Sequence, residues 1–124
     1  MDTSPEILIK KACEARENAY SPYSSFKVGA ALLCKDGSIY TGCNVENASY
    51  GATLCAERVA LTKAISEGNR DFSAIAIVGS GDGYCYPCGM CRQVMAEFMD
   101  ADGIIYVCHN DGMEKYTMKE KCIH

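Results

Sequence analysis

The sequence predicts an α/β fold of three layers, a mixed β-sheet of about five strands flanked by helices. Three observations predict it. Helical and strand-like segments alternate in the order α-β-β-α-β-α-β, with room for one more strand near the end. The 124 residues suit one compact domain, spanning 1–124, with one real core. Apolar residues make up 48% and charged residues 23%, ordinary globular usage that argues against disorder. No internal repeat, linker or low-complexity segment interrupts the pattern.

The elements follow from local signals. Ser4 is a candidate cap and Pro5 a favoured first helical residue. Leu8, Ala12, Ala15 and Ala19 then recur at helical spacing, and Pro22 is expected to end this helix. Val28 to Cys34 is a short apolar run, Asp36-Gly37 a hairpin turn signal, and Ser38 to Val45 a returning antiparallel strand. Leu54 to Glu67 reads as a buried helix stopped by Gly68. Phe72 to Gly79 reads as a buried strand, and Ser80 to Tyr86 as a glycine-containing loop. Pro87 opens another helix, on which Cys88, Cys91, Met95 and Phe98 share a face. Gly103 to Cys108 is a strong strand, and Asn110-Asp111-Gly112 a turn before a possible short strand.

Charge and cysteine content narrow the function. Acidic residues outnumber basic ones by 16 to 12, for a net charge of −4. No Lys/Arg cluster is longer than Lys10-Lys11. A neutral small molecule suits this balance better than a polynucleotide, which calls for a basic face. Nine cysteines cannot form a closed disulfide set, and their spacing is unlike a secreted framework. Met1 to Lys11 has no signal-peptide pattern, and no apolar run reaches the length of a membrane span. The expectation is a cytoplasmic protein with reduced cysteines, some of them metal ligands.

Two short segments concentrate the chemistry, Cys55-Ala56-Glu57 and Pro87-Cys88-Gly89-Met90-Cys91, each at a predicted helix N-terminus. Cys88 and Cys91, three apart on a helix, can hold one ion from the same side. Cys85-Tyr86-Pro87-Cys88 repeats the spacing, but Pro87 as helix start favours Cys88 with Cys91. With Cys55 they make three ligands, the number that leaves a catalytic zinc one position for water. His109 and His124 have no spacing that suits a fourth ligand. Three thiolates would make zinc formally anionic. Two helix N-termini, each carrying about half a positive charge, offset this and favour thiolate. Arg58 is placed to donate to the ligand sulfurs. Glu57, two residues from Cys55, is placed to take and return the proton of an activated water.

These segments resemble the zinc-dependent nucleoside deaminases, a class in which an acid/base Glu stands apart from three zinc ligands. Further stretches resemble the small homotetrameric cytidine deaminases. They are Ser21-Pro22-Tyr23-Ser24-Ser25-Phe26, Val28-Gly29-Ala30-Ala31-Leu32, Asn44-Val45-Glu46-Asn47-Ala48-Ser49-Tyr50-Gly51 and Cys91-Arg92-Gln93. The likeness covers most of the chain. It implies a cytidine deaminase-like fold and hydrolytic deamination of cytidine and deoxycytidine in pyrimidine salvage. It implies one Zn2+ per chain on Cys55, Cys88 and Cys91, with Glu57 as proton shuttle. Asn44 and Glu46 would hold the ribose hydroxyls, Phe26 would pack on the pyrimidine and the backbone at Ala56 would meet the base edge. Ala48 and Tyr50 would act across the interfaces of a homotetramer with shared active sites. The partner implied is a small pyrimidine nucleoside, with neither nucleic acid nor membrane. Family chains carry a later Leu-Leu-Pro segment and a Phe that closes a neighbour's pocket; with Tyr116 to His124 reading differently, the expectation is that this lid is missing.

Three rival readings stand beside this one. A deaminase of a blasticidin-type antibiotic is disfavoured by Asn44-Val45-Glu46-Asn47, which suits a plain ribose. A polynucleotide-editing deaminase is disfavoured by the acidic chain. A zinc scaffold without catalysis leaves Glu57, Asn44 and Glu46 unexplained.

Overall fold

A computed structural model describes residues 5–22, 26–46, 55–79, 95–109 and 112–117. Helix α1 spans Pro5–Arg16, β1 Val28–Cys34, β2 Ile39–Cys43, α2 Ala56–Ser66, β3 Phe72–Gly79, β4 Met99–His109 and β5 Gly112–Thr117. Residues 95–98 form a helical turn leading into β4. The third predicted helix is described only there, its start at Pro87 lying outside the described residues.

The five strands form one sheet in the order β2-β1-β3-β4-β5. β1 runs antiparallel to β2 and β3, β3 is parallel to β4, and β4 is antiparallel to β5. The mixed sheet with helices on both faces is the expected architecture. Two connections cross over: β2 reaches β3 through α2, passing over β1, and β3 reaches its parallel neighbour β4. β3 is buried continuously from Ala74 to Gly79, as suits a strand covered on both faces.

Side-chain alternation divides the core in two. Val28, Ala30, Leu32 and Cys34 of β1 join Ile75, Ile77, Ile105 and Val107 under Ala56, Ala60, Leu61 and Ala64 of α2. Met95 is fully buried in this cluster, and the Phe98 ring meets Phe72 at 5.7 Å. On the other face Ala31, Ala74, Ala76, Val78, Tyr106 and Cys108 pack under Leu8 and Ala12 of α1.

Local chemistry terminates the elements. The β1–β2 turn places Gly37 at φ +93°, which favours glycine. The Asp36 Oδ1 accepts the Ser38 N–H at 2.9 Å, which holds this carboxyl below its ordinary range. α2 ends in a Schellman motif: Gly68 at φ +90° donates to the Ile65 carbonyl and Asn69 to that of Ala64.

Three boundaries differ from expectation. α1 stops at Arg16 instead of Pro22, because Tyr20 is drawn into a parallel bridge with Val45. The Tyr20 N–H donates to the Asn44 carbonyl, and the Glu46 N–H to the Tyr20 carbonyl. β2 correspondingly ends at Cys43, and Val45 pairs with Tyr20 instead. β4 begins at Met99, paired with Phe72, and a bulge precedes the Ala74–Ile104 pair. Among the described residues no helix is long and apolar enough to cross a membrane.

Candidate active site

The site is built on the first turn of α2. Cys55 is its N-cap residue, with φ −77° and ψ 150°, and its side chain makes no capping bond to the helix. Its carbonyl accepts the Val59 N–H at 3.1 Å and so closes the first turn. Cys55 is half-buried against the α2-side core, and Ala56 is fully buried. Glu57 in that turn is only 4% exposed. Carboxylates are rarely buried to this degree without a reason. Arg58 is half-buried, and its carbonyl accepts the Thr62 hydroxyl at 2.7 Å.

The end of β2 supplies a second group. Asn44 is 9% exposed and, among the described residues, shares with Glu57 the distinction of being polar and buried. Its amide clamps the chain that enters β1. Nδ2 donates to the Phe26 carbonyl at 2.8 Å, and Oδ1 accepts the Val28 N–H at 2.9 Å. The Asn44 N–H also donates to the Val28 carbonyl at 3.2 Å. Phe26, thus tied at its carbonyl, packs partly buried against the α2-side core. Glu46 is half-buried two residues on.

Gly42 links the two groups. A Cβ at Gly42 would collide with the Ala56 carbonyl oxygen, so this strand position lies directly under the α2 first turn. Asn44, two residues further, lies about 7 Å along the strand and on the same face. The structure therefore brings Cys55, Ala56, Glu57, Asn44 and Phe26 to one face of the sheet. Ala48, Tyr50, Cys88 and Cys91 lie outside the described residues. Among the described residues no three His, Cys, Asp or Glu side chains converge. A cysteine thiol at a helix N-terminus, unused as a cap and followed by a buried glutamate, is donor chemistry that suits zinc.

Sequence reasoning passes over Gly42, although an isolated glycine inside a strand signals close backbone approach. It also misses the backbone clamp of Asn44. No spacing rule could have found that, since its partners are 16 and 18 residues away.

Known proteins resemble this chain in sequence and in fold. The family model of the cytidine and deoxycytidylate deaminase zinc-binding region matches residues 2–108. The chain is 56% identical over 116 residues to a cytidine deaminase of Halalkalibacterium halodurans, covering 93% of this chain and 88% of that protein. It is 52% identical over 118 residues to that of Sporosarcina psychrophila, covering 95% and 87%. The solved cytidine deaminase of Burkholderia pseudomallei superposes with a TM-score of 0.88 at 45% identity, covering 95% of each chain. That of Mycobacterium tuberculosis superposes at 0.83 and 39% identity, covering 97% and 94%. The chain belongs to the zinc-binding cytidine and deoxycytidylate deaminase family.

Proposed function

We propose that this member of the family hydrolyses cytidine and deoxycytidine to uridine and deoxyuridine, releasing ammonia, as a cytoplasmic step of pyrimidine salvage. The observation that carries the reading is the buried Glu57 two residues from Cys55, on the face that also presents Asn44 and Phe26. Cys55, Cys88 and Cys91 would hold one zinc per chain. Zinc, when bound, supplies a Lewis acid that makes water nucleophilic near neutral pH.

The chain's own residues then do the following. Glu57 takes a proton from the attacking water and delivers it to N3 of the cytosine ring. Oxygen adds at C4. Glu57 next carries the water's second proton to the amino group at C4, and the C4–N bond breaks as ammonia leaves. Water and nucleoside are thereby consumed one for one, and Glu57 ends ionised as it began.

Asn44 serves twice in this reading. An asparagine amide has two N–H groups and two lone pairs. The clamp on Phe26 and Val28 uses one of each, which leaves one of each for a sugar hydroxyl. Glu46 accepts from the ribose hydroxyls, Phe26 packs on the pyrimidine, and the Ala56 backbone meets the base edge. Arg58 donates to the ligand sulfurs. Ala48 and Tyr50 complete the site of a neighbouring subunit in a homotetramer.

Ammonia release from cytidine by the zinc-loaded chain is the test. Glu57→Gln is expected to retain zinc and to lose about 10²–10⁴-fold in turnover. Wild-type-like turnover in that variant would reject the shuttle, and no uridine from the wild type would reject the substrate.

A further inference from the structure

Gly42 carries more than its size suggests. Besides colliding with the Ala56 carbonyl, a Cβ there would stand 2.7 Å from the Ala60 amide nitrogen and 3.0 Å from the Val59 Cβ. Two of these three obstacles are helix backbone, which cannot swing aside as the end of a side chain can. Gly42 does not have a positive φ. The demand for glycine is therefore one of room and not of backbone conformation. With no side chain between them, β2 and the α2 first turn touch backbone to backbone. That turn holds Cys55 and Glu57, and the Val59 N–H bond to the Cys55 carbonyl closes it at this contact.

We propose that Gly42 is a positioning residue for the deamination: its bare Cα sets how close the first turn of α2 lies to the sheet. It thereby sets where the Cys55 thiol and the Glu57 carboxylate stand relative to groups borne by other elements. This rests on the roles proposed above for Cys55 and Glu57.

Gly29 of β1 provides an internal control. A Cβ there would collide with the Ala12 carbonyl and stand 2.6 Å from the Arg16 amide nitrogen. The crowding is equally backbone-based, but the helix displaced is α1, on the opposite face, which bears none of the proposed site residues.

The experiment compares wild type, Gly42→Ala and Gly29→Ala, each loaded with zinc. It reads zinc transfer to a chromogenic chelator, the absorption bands of the cobalt(II)-substituted protein, the melting temperature and turnover. Gly42→Ala is expected to release zinc about tenfold faster or more, to shift the cobalt–thiolate bands and to lose turnover in step. Gly29→Ala is expected to melt earlier while keeping the wild-type release rate and bands. Wild-type release and spectra in Gly42→Ala, or the same changes in Gly29→Ala, overturn the proposal. Should Gly42→Ala fail to fold, Val59→Ala decides, since it removes bulk from the same seam without a clash. Faster zinc release in Val59→Ala sustains the role of the seam, and an unchanged rate overturns it. A wrong reading of the site itself shows differently: the wild-type chain then takes up no zinc.

Discussion

The two faces of the sheet use the same joint for different ends. On each, a glycine in a strand lets a helix lie against the sheet at backbone distance, Gly29 under α1 and Gly42 under α2. Beyond the joint the faces part. Every core member on the α1 face is apolar apart from the Tyr106 hydroxyl and the Cys108 thiol. The buried polar pair Asn44 and Glu57 belongs with the α2 side. Burying an amide and a carboxylate costs free energy that apolar residues would not. Among the described residues that cost is borne on one face only, where the first turn of α2 and the end of β2 meet. On the function proposed above, the α1 face serves stability alone, and the α2 face serves both stability and chemistry.

This division can be broken by experiment. The largest effect on stability is expected from Leu8→Ala, which empties a fully buried position on the α1 face. It should cost about 2–5 kcal/mol in denaturant unfolding. Turnover per folded molecule, measured well below the melting temperature, should be unchanged. A loss of turnover without unfolding would show that the faces are coupled.

Asn44→Ala should act on both quantities. It removes the partner of the buried Val28 N–H and of the Phe26 carbonyl, at a cost of about 1–3 kcal/mol. It should also raise KM for cytidine. Asn44→Asp keeps an acceptor for the Val28 N–H and should recover part of the stability. An Asn44→Ala protein with wild-type KM would confine the residue to its backbone clamp.

The smallest effect sharpens the picture at alkaline pH. Burial first, then the charges of Asp36 and Asp71, pushes the Cys34 thiol from an ordinary 9.0 to about 11. The unfolded thiol ionises first, so between about pH 9 and 11 the unfolded state holds fewer protons and stability falls as pH rises. Cys34→Ser should flatten that part of the pH profile of the melting temperature. The wild-type slope persisting in the variant would assign it to other groups.

Much of this was legible because it is local. Pro5 does start α1, Asp36-Gly37 does turn the hairpin, and Gly68 does stop α2 through its left-handed backbone. Cys55-Ala56-Glu57 falls at a helix start, as its position in the sequence implies. What went unread depends on partners far along the chain. The end of α1 falls short of Pro22 because Val45, 25 positions away, competes for Tyr20. The start of β4 precedes Gly103 because Met99 becomes strand by pairing with Phe72.

Periodicity and turn chemistry, by themselves, determined the layered α/β class and the succession of the described elements, and they singled out the residues proposed to bind metal and move a proton. The elements follow from neighbours within a turn or a hairpin. The tertiary structure alone decided the strand order β2-β1-β3-β4-β5, the depth at which Glu57 sits and the hold of the Asn44 amide on Phe26 and Val28. It also decided that Gly42, and not another small residue of β2, lies beneath the helix. Strand pairing and close packing bring together atoms that no local rule relates, and a single methyl group is enough to keep two backbones apart.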